Sequence, residues 1–296
     1  MARGTRAAVM PSRLRRALLT AAAVLLFLVL AGATYQGVAT ALERRRFPHP
    51  GQLVDLGGHQ LHIYCTGEGS PTVVLEAPAT GMSAAWGWVQ PEVAVATRVC
   101  SYDRAGLGWS EAGGRPYQPA AVAGDLRALL QGAGERAPYV IVGQGLGAAF
   151  ASLHAATLGA DVAALVLIDA PAPGALVSQL DPRVSLVDAS PWLARAGVLR
   201  ATRLLSGDAA GLPAASAGAL AAFLNRPDHL TRSARELSLW DDTMRLAEAA
   251  ALDPSLPVLR ITAPDSGSTA FLTEPDAARA VSTGIISVVT RVDPAR

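Results

Sequence analysis

Between residues 139 and 158 the chain runs Tyr-Val-Ile-Val, then Gly143-Gln144-Gly145-Leu146-Gly147, then an alanine-rich stretch, and few architectures accept that succession. The apolar, mostly β-branched run predicts a buried strand, and three glycines in five positions predict a turn too tight for side chains. The residues that follow predict a helix. Further strands are expected over 72–76, 98–102, 164–168 and 258–262, with a hairpin over 53–56 and 60–65 through Gly57-Gly58, and a helix over 120–130. Strands alternating with helices imply right-handed crossovers and a mostly parallel sheet covered on both faces. From 171 to about 253 strand signals cease, and proline-punctuated helical pieces predict a helical cap with Trp192 and Trp240 in its core. A last helix is expected over 275–289.

A second constraint lies at the N-terminus, where Arg3, Arg6, Arg13, Arg15 and Arg16 precede an uncharged run over 17–34. A transmembrane helix needs about 18 such residues or more. The organisation that follows is a basic cytoplasmic segment 1–16, a signal-anchor helix 17–34, a linker 35–50 and a globular domain 51–296. A signal peptide cleaved near Ala31-Gly32-Ala33 is the competing reading, and the length of the run favours the anchor. Five arginines before the span against Arg44, Arg45 and Arg46 after it place the globular domain outside the cytoplasm. Either reading exports Cys65 and Cys100 to where a disulfide survives. A net charge of +1 offers no field to attract nucleic acid, so the membrane is the expected partner.

A strand closing in G-x-nucleophile-x-G and turning at once into a helix is a nucleophile elbow. Around it stand Gly67-Glu68-Gly69-Ser70-Pro71, the run Tyr102-Asp103-Arg104-Ala105-Gly106-Leu107-Gly108-Trp109-Ser110, and Leu165-Val166-Leu167-Ile168-Asp169-Ala170. Together these resemble the α/β-hydrolase superfamily, in particular its exported, membrane-anchored esterase-like branch, from about residue 47 to 289. The resemblance implies an α/β-hydrolase fold with a cap inserted over about 171–253. It also makes the strands of Cys65 and Cys100 neighbours, so the two cysteines form a disulfide or stand as two buried thiols. Asp103-Arg104 is expected to be a structural ion pair or turn anchor, and His62 and His154 to have structural or surface roles.

The departures from the family carry the functional expectation. Where the family reads G-H-S-x-G, Gln144 replaces the histidine and Gly145 the nucleophilic serine. The family's terminal S-G-H looks like Ser266-Gly267-Ser268, which puts Ser268 at the position of the base, and no histidine follows His229. Too few residues separate the 258–262 strand from Glu274 for another helix and strand, so the last strand of the family's sheet is expected to be missing. The oxyanion position is altered by Pro78, which has no N–H, leaving Ala79 and Leu146 as backbone donors. Asp169 and Asp265 are the residual candidate acids, and neither has a histidine to orient. The expected protein is therefore inactive as a serine hydrolase, without cofactor or metal, retaining a pocket for an apolar small ligand. Two alternatives stand beside it: a hydrolase using another serine such as Ser110 or Ser268, and a dinucleotide-binding oxidoreductase reading Gly143-x-Gly145-x-x-Ala148 as a fingerprint with Asp169 closing the next strand. A decayed gene product with no selected role is a further one.

Overall fold

The computed structural model describes residues 11–114, 116–171, 188–262 and 270–293. Seven strands, β1 (Gln52–Asp55), β2 (Gln60–Thr66), β3 (Thr72–Glu76), β4 (Val99–Tyr102), β5 (Tyr139–Gln144), β6 (Val162–Ile168) and β7 (Val258–Ile261), form one sheet in the order β1-β2-β4-β3-β5-β6-β7. The β1–β2 and β2–β4 pairings are antiparallel and all others parallel. Among the described residues no strand follows β7.

Alternation decides which helices each strand face receives. Val73, Leu75, Val140 and Val142 point to a core shared with α2 (Val89–Val93) and α11 (Pro275–Val292). Val74, Ile141, Leu165 and Leu167 point to the opposite core, shared with α3 (Pro119–Gly132) and α4 (Leu146–Leu158). Each such Val, Leu or Ile contributes about 1.5–3 kcal/mol on full burial, which is why these residues fill the middle of the central strands. A disulfide joins Cys65 of β2 to Cys100 of β4, which are direct register partners.

Five described helices make the cap: α5 (Ser190–Arg195), α6 (Val198–Thr202), α7 (Ala214–Phe223), α8 (Pro227–Ser238) and α9 (Trp240–Glu248). A short α10 (Ala270–Thr273) precedes α11. Trp240 packs in the core against Phe150 and Met244, whereas Trp192 is 72% exposed, contrary to the expectation that both fill the cap interior. α5 is a six-residue helix whose buried side is taken by Ser190, Pro191 and Ala194, which leaves the indole outside.

The N-terminal helix α1 runs from Ser12 to Arg46, so most of the expected linker is helical. Its last turn carries Arg44, Arg45 and Arg46, whose charges favour a helix C-terminus. It ends at Phe47 because Pro48 disfavours helical geometry in the residue before it. The helix has no buried residue in its apolar part and one, Gln36, in its second half.

Candidate functional site

Gly145 sits between β5 and α4 with φ 57° and ψ −123°, a conformation that strains any residue with a Cβ. The turn is held by the Gly145 N–H on the Ile168 carbonyl and the Ala148 N–H on the Gly145 carbonyl, both at 3.0 Å. Its flanking glycines serve close backbone packing. A Cβ on Gly143 would land on the carbonyl of Gly147, and one on Gly147 would land on the carbonyl of Ala77.

The elbow's surroundings are Pro78, Ala79, Thr80, Gly81 and Gln144, which line a cavity of about 110 Å³ closed by Leu212, Leu220 and Leu224 of the cap and by Leu272. Leu146 is buried at the start of α4. Asp169 lies directly after β6, beside the elbow, half-buried, with φ 46° and its N–H on the Ile261 carbonyl at 2.7 Å. Asp265 and Ser268 lie outside the described residues. Gly145 presents no atom that can be acylated, and the three buried histidines, His62, His154 and His229, are engaged by other groups.

Three histidines are fully buried. His229, on α8, accepts from the Gly108 N–H at Nδ1 (3.1 Å), so its Nε2–H donates to the Thr80 carbonyl (3.0 Å). Burial pushes its pKa below the ordinary 6.5, and the ring stays neutral and occupied at both nitrogens. His154 of α4 meets the Glu76 carboxylate at 2.8 Å and the Tyr102 hydroxyl at 2.9 Å through Nε2. His62 of β2 faces Asp103 through Nδ1 at 2.9 Å, and the Ser83 hydroxyl approaches the same nitrogen at 3.5 Å. A relay needs the serine on the nitrogen opposite the carboxylate, so Ser83, His62 and Asp103 do not make a triad. Ser110, the alternative nucleophile, is tied at 2.6 Å to the Asp103 carbonyl and at 2.8 Å to the His62 N–H.

Asp103 and Arg104 do not pair with each other. Asp103 accepts from the Ser83 and Trp109 backbone N–H groups at 2.6 and 2.9 Å in addition to His62. Burial opposes its ionisation, but His62 and these hydrogen bonds hold its carboxyl below the usual range. Arg104 is clamped between Glu76 at the end of β3 and Glu236 on α8, with a further bond to the Ala77 carbonyl at 2.7 Å. The Tyr117 hydroxyl adds a donor to Glu236 at 3.1 Å, and Phe150 lies under the guanidinium at 5.1 Å. Burial works against both charges. For Glu76 the Arg104 charge, then His154 and Tyr102, more than offset it and lower the pKa, while Glu236 and Glu76 keep Arg104 charged. Neither Glu76 nor Glu236 stands out as a site residue in the sequence. An acid closing an otherwise apolar strand was the available signal for the first, and an acid at the buried spacing of α8 for the second.

A larger cavity lies away from the elbow. About 470 Å³ opens between Phe47, Pro48 and Pro50, strand residues Tyr64 and Ser101, the Trp86 to Gln90 turn and Ala219 of α7, with Trp109 as one wall.

A seven-stranded sheet, a positive-φ turn leading into a buried helix and an inserted helical cap define an α/β hydrolase architecture. The chain belongs to the alpha/beta hydrolase family, whose family model matches residues 69–281. An enol-lactonase from Burkholderia xenovorans superposes with a TM-score of 0.60 at 17% identity, covering 81% of this chain and 100% of that one. A thermophilic esterase from Thermogutta terrifontis gives 0.61 at 17% identity, covering 82% and 100%. An uncharacterized protein of Schizosaccharomyces pombe is 37% identical over 82 residues, 28% of this chain and 15% of that protein's length.

Proposed function

We propose that the protein is a membrane-tethered α/β-hydrolase-like domain that has no serine-hydrolase chemistry and binds an apolar small ligand. The observation that carries this reading is Gly145: the backbone holds the attacking residue's strained geometry while no hydroxyl occupies it. Loss of nucleophile and base together removes both the covalent step and the proton transfer it needs. The cavity of about 470 Å³ supports the binding role, because ligand pockets fall in the range of roughly 300–1,000 Å³ with mainly apolar walls. The cavity at the elbow is smaller than that range.

In this reading α1 is the anchor, its N-terminus is cytoplasmic and the domain is outside. An 18-residue window of α1 has a mean hydropathy of 2.4 and is unburied, as a bilayer-crossing segment requires. Purified protein is expected not to react with a fluorophosphonate probe and to leave p-nitrophenyl acetate and laurate uncleaved. It is expected to bind a dansylated undecanoic acid, and Ala219→Phe, which fills the cavity, is expected to weaken that binding by tenfold or more. Ester cleavage that dies with the fluorophosphonate would overturn the proposal, and unchanged binding in Ala219→Phe would move the ligand elsewhere.

A further inference from the structure

The anchor helix is longer than a bilayer needs, and the surplus is docked. At 1.5 Å per residue its 35 residues span about 52 Å, against a hydrocarbon core of about 30 Å. Leu18, Leu25, Phe27 and Leu30 are all more than half exposed. From Gly32 onward the helix instead lays a stripe on the cap, formed by Gly32, Gln36 and Glu43 at helical spacing. The Gln36 amide donates to the Asn225 carbonyl at 2.7 Å and its oxygen accepts from Arg200 Nε at 2.9 Å, while the Arg200 guanidinium also pairs with Glu43.

The level of the first contact is informative. A Cβ on Gly32 would land on the Ala196 carbonyl, and one on Gly197 would come within 2.8 Å of the Gly32 carbonyl. The corner between α5 and α6 therefore touches α1 where the apolar run ends, at the height of the lipid headgroups. That corner carries Trp192, 72% exposed, with the Arg195 guanidinium 5.1 Å over its ring, then Val198 and Leu204, 41% and 60% exposed, and the exposed Arg203. Exposed aromatic and aliphatic side chains interleaved with arginine are what a membrane interface selects.

We propose that the α5–α6 corner of the cap docks onto the bilayer surface, with Trp192, Val198 and Leu204 at the acyl boundary and Arg195 and Arg203 on anionic lipid phosphates. This rests on α1 being the anchor. The occupant is a lipid surface because the patch continues directly from the lipid-exposed part of α1 and its arginines match phosphate charge.

The test uses the full chain in vesicles of phosphatidylcholine with 30% phosphatidylglycerol, with and without brominated acyl chains. Brominated lipid is expected to quench a component of the tryptophan emission that is absent in Trp192→Phe. That component is expected to shrink at least twofold in the Arg195→Gln, Arg203→Gln double variant or without phosphatidylglycerol. Sodium carbonate should leave every variant in the membrane. If the protein is retained and Trp192→Phe is quenched as strongly as the unmodified chain, the docking is overturned and the anchor stands. Chemical cross-linking of two copies through this corner, with quenching unchanged in Trp192→Phe, would overturn it equally by assigning the patch to a second copy. Extraction by carbonate would overturn the anchor and the docking together.

Discussion

The turn at Gly145 and the charge cluster around Arg104 lie at neighbouring strand ends and differ in what they retain. The turn keeps its backbone, φ 57° and ψ −123° with two closing hydrogen bonds, and has no functional side chain. The cluster keeps every side chain it needs: two carboxylates, a guanidinium, two tyrosines and a histidine, all buried and mutually bonded. The contrast teaches that holding sheet to cap and performing chemistry are separable tasks in this fold. Glu236 belongs to the cap and Glu76 to the sheet, so Arg104 is the fastening between the layers.

The largest effect should come from opening that fastening. Arg104→Ala leaves two buried carboxylates without their cation, and thermal unfolding in detergent is expected to show a loss of about 3–5 kcal/mol. A smaller shift from Arg104→Ala than from a change at the elbow would invert the comparison. Glu236→Gln keeps a hydrogen-bonding group of the same shape and leaves Glu76 to neutralise Arg104, so its cost is expected to be less, about 1–3 kcal/mol by denaturant midpoint.

At the elbow the expectation is different in kind. Gly145→Ser restores the missing hydroxyl in a conformation that charges a side chain about 1–3 kcal/mol. It should unfold at a lower temperature and remain unlabelled by fluorophosphonate, because no histidine is placed to activate it. Rapid labelling would show that a base reaches the turn.

The smallest effect concerns pH. Burial lowers the pKa of His229 in the folded state, so the unfolded chain takes up the proton first. The stability linked to neutral His229 is complete above its unfolded value of about 6.5 and is lost as pH falls below it. Urea midpoints at pH 7.5 and 5.5 should therefore differ more for the unmodified protein than for His229→Gln. Glu76 and Asp103, both with lowered values, act only further down, as pH falls below about 4.

How much of this was legible in the sequence follows from range. The strands β3, β5 and β6 and the glycine turn are local patterns, because periodicity and small residues report directly on burial and close backbone approach. Gln144, Gly145 and the absence of histidine after His229 are readable for the same reason. The partners of Arg104 are not, since Glu236 lies 132 positions away and only the cap's return brings it back. The docking of α1 was hidden likewise: Gln36 meets Asn225 across 189 positions, so residues that look like a linker are a packed helix. The exposure of Trp192 is not legible in the sequence, because hydrophobicity argues for burial only when a helix has a free buried side, and α5 has already filled its own.

The stripe from Gly32 to Glu43 has a practical corollary for anyone wishing to obtain the globular part alone. Cutting before Phe47 would strip the covering from the Asn225 carbonyl and strand the Arg200 guanidinium without Gln36 and Glu43. The Phe47 carbonyl, which receives the Trp109 indole at 3.0 Å, would then hang on a frayed end. A water-soluble fragment of this chain should accordingly begin no later than about Gly32, trading a few exposed aliphatic residues for an intact seat.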